Sequence, residues 1–208
     1  MWVHEKMRVR QKTILFLSLL SLLLAATSAS ADFAAGAAAY KRGDYKTALK
    51  EFKSLAQQGD AKAQFGLGIM YAKGQGVVRD FSQSGRWVRK AALQGHVSAQ
   101  FYLGLFFAKG LGVARDIDQA VNWYRKAALQ GHVPAQFSLG FMYANGQGVA
   151  RDYAQAMKWF GKAALKGDAL SQYSLGVMYD KGMGVAQSRT QAVKWFGKAA
   201  LKGHALAQ

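Results

Sequence analysis

The 208-residue sequence contains no cysteine and a single proline, and only 11 acidic residues stand against 28 basic ones. Without cysteine there is no disulfide framework, iron–sulfur cluster, thiolate zinc site or cysteine nucleophile, and the redox compartment stays open. The serine-nucleophile signatures Ser-x-x-Lys and Gly-x-Ser-x-Gly are also missing. The few acids include no general acid–base pair, since Asp116 and Asp118 read as a cap and a helix-dipole partner. These absences argue against an enzyme, a cell-wall or β-lactam hydrolase included, and neither a cofactor nor a bound metal is expected. No nucleic-acid module is present, so no nucleic-acid partner is expected. What is present is a hydrophobic content of 51%, enough for a core and incompatible with a wholly disordered chain.

The N-terminus has its own character. Lys6, Arg8, Arg10 and Lys12 precede an uncharged, leucine-rich run from Thr13 to Ala26. As a helix those fourteen residues reach roughly 21 Å, short of the roughly 30 Å of bilayer hydrocarbon, so no stable membrane anchor is expected. Small residues at Ala29 and Ala31 complete the pattern of a secretory signal cleaved after Ala31. The mature chain would start at Asp32 with 24 basic and 10 acidic residues, a charge of +14. Such a protein is expected in the bacterial periplasm or outside the cell, where a basic surface meets acidic polysaccharide, cell-wall carboxylates, lipid phosphates or an acidic protein.

The rest of the chain is repetitive. Gln64, Gln100, Gln136, Gln172 and Gln208 recur at a spacing of 36, and residues 96–131 and 132–167 are identical at 22 of 36 positions. Four units follow, 60–95, 96–131, 132–167 and 168–203, and each reads as two helices. Ala99, Leu103, Phe106 and Phe107 share one helical face, which the glycines at 110 and 112 then stop. Asp80, Asp116, Asp152 and Ser188 are N-caps of the second helices, and Gly95, Gly131, Gly167 and Gly203 end them. Gly104 and Ala120 allow close approach, with Trp123 and Tyr124 filling the space beside them. His96, His132 and His204 share one repeat position about 10 Å apart, too far to share a metal ion, and read as turn or capping residues. The Gly-x-Gly turns are structural, since no strand precedes them. In the first unit Ser84-Gly85 replaces the Ala120-Val121 pair, and Gly85 should weaken its helix by about 1 kcal/mol.

The pattern Ala-Gln-x-x-Leu-Gly-x-x-Tyr, Gly-x-Gly-Val, Asp, Ala-x-x-Trp-x-x-Lys-Ala-Ala-x-x-Gly, four times in register over 60–203, closely resembles the Sel-one-like repeat (SLR) family, a relative of the tetratricopeptide repeats. Residues 32–59, with Ala39-Tyr40-x-x-Gly43-Asp44-Tyr45 and then Ala48, Phe52 and Ala56, resemble a shorter tetratricopeptide-type hairpin. The resemblance implies an all-α, right-handed solenoid of five hairpins with no sheet. It also implies a non-catalytic scaffold whose first helices line a concave face for another protein. On that face lie Phe65, Ile69, Phe101, Leu105, Phe137, Phe141, Tyr173 and Val177, fringed by Lys62, Lys73, Lys109 and Lys181. An aromatic stripe at helical spacing is usually core, so the ring at Phe65 and its copies also fits packing between repeats. The positions that vary, Lys62, Ser98, Pro134 and Leu170 with Gly66, Tyr102, Ser138 and Ser174, are the ones that would tune a ligand. An acidic envelope polymer such as peptidoglycan or polysaccharide stays open as the alternative partner. Residues 204–208 open another unit and stop, which leaves the face around Val193, Phe196 and Ala200 without cover. That end implies either a longer array or docking on a partner or a second copy, that is, end-to-end self-association.

Overall fold

The computed structural model describes residues 33–201. The leader expected at 1–31 and the incomplete unit at 204–208 lie outside them. Among the described residues there are ten α-helices and no strand. Helix α1 spans 33–41, followed by α2 (Tyr45–Gln57), α3 (Ala61–Lys73), α4 (Phe81–Leu93), α5 (Val97–Lys109) and α6 (Ile117–Leu129). Helices α7 (Val133–Asn145), α8 (Tyr153–Leu165), α9 (Ala169–Lys181) and α10 (Arg189–Ala200) complete the set. They fall into two compact units, one ending at Arg79 with α1 to α3, the other starting at Asp80 with α4 to α10.

Local chemistry sets where the helices begin and end. The side chains of Asp80, Asp116, Asp152 and Ser188 accept the backbone N–H three residues on, as expected of N-caps. The first helices are capped in the same way, by Asp60, His96, His132 and Asp168, with the histidines accepting through Nδ1. At the far ends the chain leaves α3, α5, α7 and α9 through a left-handed glycine, such as Gly110 at φ 70°. The second glycine of each turn has a different task. A Cβ on Gly148 would strike the carbonyl oxygen of Ile117 at 3.0 Å and its side chain at 2.6 Å, so the turn lies directly on the start of α6.

Within the second unit α5 packs on α6, α7 on α8 and α9 on α10, and each second helix also packs on the first helix that follows it. Close approach depends on a first-helix glycine. A Cβ on Gly140 would lie 2.7 Å from the Phe160 ring, and one on Gly104 would lie 2.7 Å from Tyr124, which confirms the role expected of Gly104. The repeated glutamine is a latch between hairpins. Gln100, Gln136 and Gln172 each donate from Nε2 to the carbonyl of Ala92, Ala128 and Ala164, at 3.3, 3.1 and 3.1 Å. In the first unit Gln64 does the same to Ala56 at 3.2 Å. Each of these carbonyls also accepts the backbone N–H of the glycine three residues on, and the added side-chain bond fixes the register of one hairpin on the last.

Candidate functional site

The groove residues are set by the first helices, whose inner stripe of Ala, Leu and Met is buried and whose adjacent stripe is half-buried. In the first unit the Lys62 ammonium lies 6.0 Å from the Phe33 ring, Phe65 and Ile69 are half-buried, and Lys73 reaches the Tyr40 hydroxyl at 3.5 Å. That hydroxyl donates to Gln75 Oε1 at 2.6 Å, and Gln75 Nε2 donates to Tyr45 at 2.9 Å, so Lys73 edges a small polar network.

In the second unit the aromatic stripe stacks mainly inside its own hairpin. Phe101 lies 5.6 Å from Tyr124, Phe137 5.7 Å from Phe160, and Tyr173 5.5 Å from Phe196. Phe101 also shows the expected contact between repeats, at 4.8 Å from the His132 ring of the next one. The copies then diverge one turn further along. Leu105 and Val177 are half-buried, whereas Phe141 is 47% exposed, because its ring is longer than the space those aliphatic copies fill. It borders a cleft of about 140 Å³ lined by Tyr124, Phe137, Ser138, Phe141, Met142 and Gln147. Lys109 and Lys181 are exposed in the last turns of α5 and α9, and Asn145 stands at the matching place in α7.

Two groups here have shifted protonation. Burial pushes the Tyr124 hydroxyl up to about 12, so it stays a neutral donor at the cleft at any physiological pH. Burial also lowers the His132 pKa, which favours the neutral ring whose Nδ1 caps α7. Among the described residues no group of three or more His, Cys, Asp or Glu is placed to hold a metal ion. What the cleft offers is aromatic surface lined also by two hydroxyl side chains, an amide and a thioether, suited to contact and hydrogen bonding.

Two features lie outside the expected site. Lys90, Lys126, Lys162 and Lys198, in the last turn of the second helices where a cation complements the helix dipole, also hold their ammonium groups 4.5, 4.2, 4.6 and 4.3 Å from the centroids of Trp87, Trp123, Trp159 and Trp195. The signal was in the sequence as Trp-x-x-Lys at helical spacing. A second cleft, of about 330 Å³ and lined by Ser82, Gly85, Arg86, Arg89, Gly112 and Val113, opens where Gly85 replaces a valine.

Four consecutive copies of the Sel1 repeat model match the chain, at 61–96, 97–132, 133–168 and 169–204. The chain belongs to the Sel1 repeat family. Among solved structures, a Sel1 repeat protein from Oxalobacter formigenes is 35% identical with a TM-score of 0.81, over 84% of this chain and 72% of that one. A protective antigen of uropathogenic Escherichia coli with an SLR fold is 43% identical with a TM-score of 0.75, over 76% of this chain. This chain covers 34% of that antigen's length. A Sel1 repeat protein from Klebsiella pneumoniae, at 23% identity and a TM-score of 0.56 over 86% of this chain and 89% of that one, shares the fold. No curated protein matches. Sel1 repeat proteins are generally protein-protein interaction scaffolds, and the array of helical hairpins here is of that kind.

Proposed function

We propose that this protein is a non-catalytic, exported scaffold that seats another protein on the first-helix face of its repeats, in the assembly or regulation of a bacterial envelope complex. The observation that carries this reading is Phe141, a large ring 47% exposed beside an aromatic cleft, where the other copies hold smaller and better covered side chains. Exposed aromatic anchors next to a pocket are where protein contacts concentrate their binding energy. The candidate contact residues are Lys62, Phe65, Ile69 and Lys73 in the first unit and, beside Phe141, Phe101, Leu105, Lys109, Phe137, Tyr173, Val177 and Lys181 in the second. Export rests on the basic, apolar and small-residue order of residues 1–31, and the similar structures named above come from bacteria.

A second reading, capture of an acidic envelope polymer, is favoured by the charge of +14, from 24 basic and 10 acidic residues, on the chain from Asp32 onward. Salt separates the two, because the screening length falls to about 3 Å at 1 M. Capture of an envelope protein that persists at 1 M salt and drops at least tenfold with Phe141→Ser supports the groove. Binding to peptidoglycan or polysaccharide that vanishes in salt and ignores Phe141→Ser supports the polymer.

A further inference from the structure

One edge of the second unit carries a feature that the groove does not use. Each second helix ends in a leucine at the same repeat position: Leu93, Leu129 and Leu165 close α4, α6 and α8, and Leu201 caps α10. They are 69, 68, 81 and 88% exposed, and together they make up half of the eight exposed large hydrophobics among the described residues. The turns that follow the first three are tied side by side. Gln130 Nε2 donates to the Gly95 carbonyl at 3.3 Å and Lys166 Nζ to the Gly131 carbonyl at 2.7 Å, so each turn is bonded to the one a repeat earlier. Leu93, Leu129 and Leu165 therefore stand in a row, spaced by a helix-packing distance of roughly 10 Å, and Leu201 holds the same repeat position on α10.

One turn back on the same face, three residues before each leucine, is the lysine of a Lys–Trp pair, its ammonium steadied against the indole. The four helices hold a single acid, Asp118, in the first turn of α6 and roughly 16 Å along the helix from Leu129. Asp168, in the turn after Leu165, is bound to the Ser171 amide as a cap. The edge thus combines protruding aliphatic side chains, lysines that lie back on apolar surface, and almost no negative charge.

We propose that this edge docks on an anionic lipid bilayer, with the leucines entering the boundary between headgroups and acyl chains and the lysines meeting lipid phosphates. That combination is the interfacial pattern of peripheral membrane binders, in which apolar insertion and attraction to anionic lipid add. A protein partner fits less well. Leucine is under-represented among the residues that dominate protein interfaces, and these four stand as single knobs separated by polar turns. The inference stands apart from the groove: either surface can work without the other.

Because the chain has no cysteine, one introduced thiol reports on one place. In the full chain, Leu129→Cys carries an environment-sensitive fluorophore, with Ala154→Cys at the opposite end of α8 as the control. The probes are vesicles of phosphatidylglycerol with phosphatidylethanolamine, and vesicles of phosphatidylcholine alone. The local readout separates this edge from any contribution of the apolar run at 13–26. The label at 129 should shift to the blue and be quenched by shallow lipid-borne quenchers on anionic vesicles only, while the label at 154 stays in water. Adding Leu93→Gln and Leu165→Gln should weaken that response on the order of a hundredfold. The proposal is overturned if the label at 129 remains water-exposed on anionic vesicles, or if it responds equally after both leucines are replaced. A response at 129 to an envelope protein or an acidic polysaccharide, with none to anionic vesicles, overturns it as well.

Discussion

At the scale of single residues, the structure turns two glycines into opposite predictions. A Cβ on Gly85 would sit 3.7 Å from its nearest neighbour, Val113 Cγ1, at ordinary contact distance beside an open cleft. Gly85→Ala should therefore recover the helix propensity that the sequence shows to be lost, raising stability by about 1 kcal/mol in urea unfolding. At Gly140 a Cβ would lie 2.7 Å from the buried Phe160 ring. Overpacking there costs about 1–3 kcal/mol, so Gly140→Ala should lower stability despite the same propensity gain. Equal shifts from both would show that packing is not what keeps Gly140. Next to Gly85, the Ser84 hydroxyl is buried with no hydrogen-bond partner, where the next repeat has Ala120. Nothing in the structure explains why this repeat departs from the Ala-Val pair.

Helices show how caps couple to pH. His132 caps α7 through Nδ1, which can accept the Ala135 amide only while it is unprotonated, and burial lowers its pKa. A folded-state pKa below the ordinary histidine value means the unfolded chain takes up the proton first. The stability this cap contributes is complete above the unfolded value near 6.5 and is lost as pH falls through the folded one. Asp168 performs the same task in α9 with a carboxylate, at 2.8 Å from the Ser171 amide. His132→Asp should thus reduce the stability lost between pH 7.5 and pH 5, read as the difference between urea midpoints at the two values. An unchanged difference would mean that His132 is not a source of the pH dependence.

Helix limits of this kind were legible in the sequence because a cap is a local contract between residues three apart, as at Asp80 or Ser188. The caps at Asp60 and Asp168 are equally local, each accepting the backbone N–H three residues on. The groove was less legible. Period alone places Phe137 and Phe141 on one face, and only the ring opposite, Phe160 against Phe137, decides which of them is covered. The glutamine latch could be read as a repeat mark but not as a bond, because its acceptor belongs to the preceding hairpin.

For the whole molecule, repetition keeps a common frame while leaving a few positions free to differ. The Leu, Gly and Gln positions of the first helices recur in every copy and are spent on packing and register. Residues that differ between copies, Tyr102, Ser138 and Ser174 among them, lie on the first helices beside the aromatic stripe. Repeat arrays present extended surfaces in this way, with the framework held constant and the face varied. The central claim is that this face, through Phe141, receives another protein. Site-specific photocrosslinking in cells tests it most directly, with a photoreactive residue at position 141 and, for comparison, at the exposed second-helix position 194. The account predicts a discrete protein adduct from position 141 that is absent from position 194. An adduct from 194 with none from 141, or no protein adduct from either, would contradict it.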